Sequence, residues 1–380
     1  LLVALIAESE AAGTPARIVM HIDFDYFYAQ CEEVRNPALK GKPLAVCVFS
    51  GRTRDSGVIS TANYAARKYG VKSGMPIRLA KARLADVAGA TFLPIDMDYY
   101  TRVSERAMTL IESFADKFEQ VGIDECFIDV TRQARNYSGA RIIASEIKRA
   151  VRESAAITAT VGVAPNKLVA KIASDFQKPD GLTVVEAASV EKFISGLEVS
   201  KISGIGPKTA GKLKEMGATT VGDISRIDQF RLTEALGKKA AAYIRNAARG
   251  IDEDPVRETG ERKQIARIVT LRTDANTSAE MSEDLSVLCR SVAEIAGARA
   301  LSFKTIGVLL FLNNLDQRSR SKTLKTHTSS LQVLSSTARK LLADLMVAGS
   351  DGIKVRRLGV RISDLHDSSG QNTISSFMKD

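Results

Sequence analysis

The run "HIDFDYFYAQ", His21 to Gln30, puts two acids, Asp23 and Asp25, at the end of an apolar lead-in, "RIVM", that reads as a strand entering a core. A buried, ionised carboxylate costs several kcal/mol unless it is paired or coordinates a cation. Residues two apart on a strand share a face, so the two acids repel each other unless something positive lies close. A chain that buries this strand therefore needs a metal ion or a basic partner beside it. The aromatic residues Phe24, Tyr26, Phe27 and Tyr28 crowd the same short segment.

A second acidic group answers the first. In "VGIDECFIDV", Asp124 and Glu125 occupy the turn between two apolar runs. Alone, a salt-bridged surface turn accounts for them. Two acidic clusters on strands of one small domain make a better case for a hard cation, because carboxylate oxygens suit Mg²⁺. Two such ions can activate an attacking oxygen and stabilise a leaving one in phosphoryl transfer.

The 54 Lys and Arg residues outnumber the 44 Asp and Glu, giving a net charge of +10 that favours a polyanionic partner such as nucleic acid. At 380 residues the chain divides into two to four domains of about 100 residues each. Cys31, Cys47, Cys126 and Cys289 lie far apart with no CxxC, which argues against a zinc site or disulfide framework and for a reducing, cytoplasmic setting. Residues 1–16 read as a poorly ordered extension or a small helix, too briefly apolar to span a bilayer.

Periodicity divides the rest. "RIVMHIDFDYF" is a strand, and "KPLAVCVFS" with "GVISTA" a hairpin. "ANYAARKYG" is a short helix stopped by Gly70, and "TRVSERAMTLIESFADK" a longer amphipathic one. "KFEQVGIDECFIDVT" is strand, turn, strand; "ARIIASEIKRAVRES" is a helix and "ITATVGVAP" a strand. Two helices packed on one sheet with acids at its middle describe an α+β domain. From about Glu186 short helices alternate with glycines, and Gly204 and Gly206 form a hairpin suited to a phosphate. "DEDPVRETGERKQ" reads as a linker. A βαββαβ order follows: strand 265–271, helix 278–296, strands 303–312 and 317–326, helix 329–347, strand 354–362. On the second of its paired strands Arg318, Arg320 and Lys322 alternate, so they project from one face as candidate phosphate contacts.

The runs "DFDYFYAQCEE", "GKPLAVCVFSGR", "STANYAARKYGVKSGMP", "GIDECFIDVT", "TVGVAPNKLVAKIASDFQKPDG" and "ISGIGPKTAGKL" together closely resemble the Y-family translesion DNA polymerases of the archaeal and bacterial DinB, or DNA polymerase IV, type. The resemblance runs from about Arg17 to Asp364. It implies a multidomain α+β right hand: palm at 17–26 and 94–185, small fingers at 27–93, a helix-hairpin-helix thumb at 186–253, a linker at 254–264, a βαββαβ little finger at 265–365 and a tail at 366–380. The implied reaction is template-directed addition of deoxynucleotides to a primer 3′-hydroxyl, of low fidelity and able to pass damaged bases.

By the same resemblance Asp23 and Asp124 bridge two Mg²⁺ ions, for which Mn²⁺ is a substitute, Glu125 holds the ion beside the primer hydroxyl, and the Phe24 carbonyl completes the nucleotide-side ion. Asp25 matches the motif but is expected to be structural. Tyr28 corresponds to the steric gate beneath the sugar. Phe27, Thr61, Tyr64, Arg67 and Lys178 correspond to nucleotide contacts, with Ser60 beside Thr61 as a small roof over the nascent pair. Tyr64 and Arg67, three apart on a helix, share a face. Gly204, Gly206 and Lys208 correspond to thumb contacts with DNA.

The tail "QNTISSFM" fits a clamp-binding box in which Gln371, Ile374, Phe377 and Met378 engage a sliding clamp. Partners are then primer–template DNA, a deoxynucleoside triphosphate and the clamp, with no membrane and a monomeric enzyme. Nucleotidyl cyclases share palm-like folds and paired carboxylates but need neither thumb nor little finger. A DNA-binding scaffold leaves Asp23, Asp124 and Glu125 without a purpose.

Overall fold

The computed structural model describes residues 17–258, 263–347 and 354–367. The acid-bearing strand β1 (Val19–Phe24) lies at the centre of a five-stranded sheet ordered β5-β6-β1-β7-β8. The others are β5 (Lys117–Gln120), β6 (Glu125–Asp129), β7 (Ala159–Ala164) and β8 (Leu182–Val184). Both neighbours of β1 run antiparallel to it, with Asp23 opposite Glu125 on β6 and Thr160 on β7.

Alternation along β1 decides which chemistry faces which layer. Met20, Ile22 and Phe24 pack with Cys126 and Ile128 into a core shared with Tyr100, Ala107, Met108 and Ile111 of helix Met97–Glu112 and with Ala144, Ile147 and Val151 of helix Tyr137–Ala155. Val19 and Phe127 instead join a core with Leu168, Val169, Ile172 and Ala173 of helix Lys167–Phe176. The sequence pattern predicts two helices on this sheet; the structure adds this third on the opposite face. Its N-cap, Asn166, accepts a hydrogen bond from Val169 N at 3.0 Å. Gly162 on β7 makes the close approach possible, because a Cβ there would meet Ala170 O at 2.1 Å.

The "KPLAVCVFS" and "GVISTA" segments form β2 (Leu44–Phe49) and β3 (Gly57–Ala62), joined by β4 (Thr91–Pro94) in the order β3-β2-β4. Helix Tyr64–Arg67 is capped by Asn63, and Gly70 at φ +77° follows it. Four helices follow β8: Val190–Ser195, Pro207–Glu215, Gln229–Leu236 and Lys238–Ala248. Their apolar residues Ile194, Leu213, Leu232 and Ile244 extend the same core as Ile172.

The described residues fall into two compact units, one within 17–48, 58–75 and 79–258, the other within 49–57, 76–78, 263–347 and 354–367. The segment from Asp252 to Arg257 carries the charge and proline of a linker, yet it is fastened to the first unit. Lys167 Nζ bonds both oxygens of Glu119 at 2.9 Å and Asp254 Oδ2 at 2.8 Å, and Arg257 N donates to Glu119 Oε2 at 2.9 Å. Val256 is buried there.

The second unit has the expected βαββαβ order: β9 (Gln264–Ala275), helix Ser282–Gly297, β10 (Leu301–Leu312), β11 (Gln317–Thr328), helix Leu331–Val347 and β12 (Val355–Asp367). Its antiparallel sheet is ordered β11-β10-β12-β9. Ile306, Val308, Leu310, Leu358, Val360 and Ile362 form the core with Leu285, Leu288, Val292, Leu334, Ala338 and Leu342 of the two helices.

Candidate active site and nucleic-acid face

Where β1 ends the chain turns sharply, with Tyr26 in the left-handed region at φ 36° ahead of helix Phe27–Arg35. A tyrosine at positive φ is strained, and it persists because the surroundings fix it. The Tyr26 hydroxyl donates to Glu33 Oε2 at 3.2 Å, and Gln30 Nε2 donates to Asp25 O at 2.5 Å. Asp25 is 1% exposed and accepts hydrogen bonds from Thr158 Oγ1 at 2.7 Å, Thr160 Oγ1 at 2.6 Å and Asp180 N at 2.9 Å. It closes the turn against β7 and the loop after Lys178.

The turn opens onto a cavity of about 390 Å³ lined by Asp23, Asp124, Tyr28, Thr61, Tyr64, Arg67 and Lys178, among others. Ser60 also lines it. Phe24 and Phe27 border it too, but their rings are buried, so main chain is what they can present. Phe24 N donates to Asp124 O at 2.8 Å, which ties the two acidic segments together at the rim. The Tyr28 ring stacks on Tyr100 at 4.7 Å between centroids. The Arg67 guanidinium lies 4.9 Å from the Tyr64 ring centre, and its Nε donates to Ala62 O at 2.8 Å. Lys178 Nζ bonds Asp23 Oδ1 and Asp175 Oδ1, each at 2.8 Å.

Burial pushes the carboxyls of Asp23 and Asp124 above the usual carboxylate range, with the Lys178 ammonium opposing it at Asp23 and backbone hydrogen bonding doing so at Asp124. Desolvated, incompletely compensated acids are the environment a cation relieves. The donor set, two carboxylates and a neighbouring carbonyl, is all oxygen and fits a hard divalent ion.

Glu125 stands apart. It lines a neighbouring opening of about 320 Å³ with Phe127, Lys167, Lys171, Ser203 and Tyr243. Its Oε2 is ion-paired to Lys171 and accepts from His21 Nε2 at 3.1 Å. The His21 bond and the Lys171 charge hold this carboxyl at about 2. No group of three or more His, Cys, Asp and Glu side chains in ligating range occurs among the described residues, so the three acids do not converge on one point as placed.

Gly204 has φ +85°, as a tight hairpin requires, and Gly206 is the N-cap of helix Pro207–Glu215, with no side chain capping its first turn. Lys208 is exposed on that helix. Arg318, Arg320 and Lys322 do share one face of β11. They pair with Leu310, Val308 and Ile306, however, so that face is the helix-covered one, and Arg320 lies 3.7 Å from Asp344 of helix Leu331–Val347.

The sheet's other face carries Arg357 and Arg361. They pair with Phe311 and Gly307, and the register adds Ser319, Ser321, Thr323, Thr305 and Ser363, with no acid among the paired positions from Arg357 to Ser363. The Arg357 guanidinium lies 5.0 Å from the Phe311 ring centre, and Arg361 Nε is buried with no hydrogen-bond partner among the described residues. The signal was in "VRRLGVRIS", where Leu358, Val360 and Ile362 alternate with Arg357, Gly359 and Arg361. Gln371, Ile374, Phe377 and Met378 lie outside the described residues.

Comparison with known proteins assigns the chain to a family. Residues 22–175 match the impB/mucB/samB family, residues 262–375 its C-terminal domain, and residues 200–252 the thumb domain described for DNA polymerase iota. The chain is 46% identical over 362 residues to DNA polymerase IV of Nitrosopumilus maritimus, covering 95% of this chain and 99% of that one. It is 40% identical over 354 residues to DNA polymerase IV of Saccharolobus solfataricus, covering 93% and 98%. Among solved structures, the Y-family DNA polymerase chimera Dbh-Dpo4(243-245)-Dbh superposes with a TM-score of 0.85 at 38% identity, covering 91% of this chain and 98% of that one. The insertion ternary complex of Dbh DNA polymerase superposes at 0.67 and 37% identity with the same coverage.

The chain belongs to the impB/mucB/samB family, the Y-family DNA polymerases of DinB type. It is a DNA-directed DNA polymerase of the low-fidelity, translesion kind, acting on primer–template DNA and nucleotide with a divalent cation. No helix among the described residues is long and apolar enough to cross a membrane.

Proposed function

We propose that the enzyme joins a deoxynucleotide to a primer 3′ end by two-Mg²⁺ phosphoryl transfer, with Asp23 and Asp124 holding both ions, the Phe24 carbonyl supporting the nucleotide-side ion, and Glu125 serving the primer side. Mg²⁺ supplies charge neutralisation at the attacking and leaving oxygens, and Mn²⁺ can replace it. The chain's own residues bind and orient. Tyr64, Arg67 and Lys178 meet the triphosphate, Tyr28 lies under the sugar and excludes a 2′-hydroxyl, and the small Ser60 and Thr61 leave room for a distorted template base. Positioning and charge compensation are nearly all that phosphoryl transfer asks of a protein.

The observation that carries this reading is the meeting of Asp23, Asp124, Tyr28, Thr61, Tyr64, Arg67 and Lys178 in one cavity, from segments 155 positions apart at the Lys178–Asp23 contact. Gly204, Gly206 and Lys208 fit a thumb that follows the DNA backbone, and Arg357 and Arg361 fit the little-finger contact better than Arg318, Arg320 and Lys322. The domain division given above, a monomeric enzyme in the cytoplasm and a clamp contact through Gln371, Ile374, Phe377 and Met378 complete the proposal. Primer extension with and without Mg²⁺, on wild type and Asp124→Ala, tests it. The variant is expected to bind primer–template normally and add no nucleotide. Extension at the wild-type rate by Asp124→Ala would overturn the assignment.

A further inference from the structure

Two of the three acids are held in separate places by two lysines of one segment. Helix Lys167–Phe176 and the turn after it present Lys178 to Asp23 in the nucleotide cavity and Lys171 to Glu125 in the adjoining opening. Both cationic or hydrogen-bonding partners of Glu125 converge on one oxygen. Lys171 Nζ and His21 Nε2 meet Oε2 and stand 3.3 Å from each other. Oε1 carries no hydrogen bond or ion pair among the described residues.

The anchor behind this contact is rigid. His21 is 1% exposed on the central strand, its Nδ1 is 2.7 Å from Ser174 Oγ, and the Ser174 hydroxyl donates to Lys171 O at 2.8 Å. The His21 ring also packs against Phe127 at 4.6 Å between centroids. One face of one helix therefore supplies both the ammonium and, through Ser174, the support of the imidazole. The opening in which Glu125 sits continues past Lys171 to Ser203, beside the glycine hairpin, and to Tyr243 of helix Lys238–Ala248, whose hydroxyl donates to Ser203 O at 2.6 Å.

We infer that Lys171 is a positioning residue: with His21 it fixes Glu125 by Oε2 on the primer side of the site, apart from Asp23 and Asp124, and leaves Oε1 to serve the reaction. This rests on the reading of Glu125 as the primer-side carboxylate. Groups that orient a metal-binding side chain are commonly worth about 10–100-fold. Lys171 touches neither nucleotide nor metal in this account, so its loss should reach the chemical step through Glu125 alone.

The test uses the full-length enzyme on primer–template, with Lys171→Met, Lys171→Arg and Glu125→Ala in parallel, and Lys171→Gln should the methionine variant fold poorly by circular dichroism. Single-turnover insertion should slow about tenfold or more in Lys171→Met, with nucleotide Kd within about twofold, and Lys171→Arg should recover most of the rate because the charge returns to Oε2. Mn²⁺ binding, read by electron paramagnetic resonance on a dideoxy-terminated complex, should weaken in Lys171→Met and return in Lys171→Arg, since a displaced Glu125 holds the primer-side ion less well. A Lys171→Met rate near wild type, or a slowed rate that Lys171→Arg does not recover, overturns the inference. Full activity in Glu125→Ala would instead overturn the role of Glu125 itself.

Discussion

Tyr28 lies almost flat on Tyr100, the ring planes 14° apart and the centroids 4.7 Å apart, and the Tyr100 hydroxyl is tied to Glu32 Oε1 at 2.8 Å. Tyr100 is fully buried on helix Met97–Glu112, whereas Tyr28 faces the cavity. A ring that must exclude a single hydroxyl has to be held against sideways motion, and here a buried ring does so. Burial and then Glu32 push the Tyr100 phenol well above its ordinary range, so it stays a neutral donor at every working pH.

Sugar selection follows from that pair. Tyr28→Ala should raise ribonucleotide incorporation by orders of magnitude while deoxynucleotide addition largely persists. Tyr100→Phe keeps the stack and removes only the bond to Glu32, so discrimination should stay close to wild type. Tyr100→Leu removes the platform and should relax discrimination partway. Single-nucleotide kinetics with paired ribo- and deoxynucleotides measure all three; equal discrimination in Tyr28→Ala and wild type would contradict the gate.

Asp124 should trade stability for chemistry. Its carboxyl is raised by burial, so the folded state binds that proton more tightly than the unfolded chain does. By linkage, stability falls as pH rises from the unfolded value of 3.8 through the folded one, and the penalty is fully present above the folded value. Without metal, Asp124→Asn should therefore melt above wild type at pH 7, with the gain shrinking as pH falls below the folded value. Added Mg²⁺ should raise the wild-type Tm and not that of the variant. A variant that melted lower at pH 7 and gained nothing relative to wild type on going from pH 3.8 to 7 would refute the assignment.

Asp25 belongs to the fold rather than to the ion. Deleting its carboxylate in Asp25→Ala strands the hydroxyls of Thr158 and Thr160 and the amide of Asp180. An unsatisfied buried group costs about 1–3 kcal/mol. The melting temperature should drop clearly, and Mn²⁺ binding in the folded fraction should change little. Loss of Mn²⁺ binding without loss of stability would make Asp25 a ligand instead.

Much of this was legible because alternation and spacing encode it. The acids on β1, the order of the second unit and the pairing of Tyr64 with Arg67 all follow from periods of two and 3.6. One legible feature went unread and two were not legible. Helix Lys167–Phe176 is announced by Asn166 after Pro165 and by Leu168, Val169, Ile172 and Ala173 at helical spacing, yet it is absent from the two helices expected on this sheet. The sidedness of Arg318, Arg320 and Lys322 depends on which face the helices cover, and alternation alone carries no sign. His21 and Lys171 meet at Glu125 across 150 residues of sequence, and no local pattern records that meeting.

The sidedness gives a direct comparison. Neutralising Arg357 and Arg361 together should weaken primer–template binding and lower the log–log salt slope by about 0.9 for each duplex phosphate that is no longer neutralised. Neutralising Arg318, Arg320 and Lys322 should lower it less, since Arg320 is already committed toward Asp344. Fluorescence anisotropy across a salt series reads both. A larger drop in the second variant would assign the DNA-binding face to β11.

The tail makes the last case. Phe377 lies in "HDSSGQNTISSFMKD", a stretch with too few apolar residues to bury an aromatic ring by itself, so the ring is suited to burial in a partner. Burying such a side chain contributes about 1.5–3 kcal/mol, or roughly a ten- to hundredfold change in affinity. Removing residues 371–380, or changing Ile374 and Phe377 to Ala, should leave distributive synthesis by the free enzyme intact and abolish stimulation by a sliding clamp from the same organism. The measurement is product length under single-hit conditions with and without clamp. If the truncated enzyme were stimulated as strongly as the full chain, the clamp would have to be held by another surface, and Gln371, Ile374, Phe377 and Met378 would have no part in it.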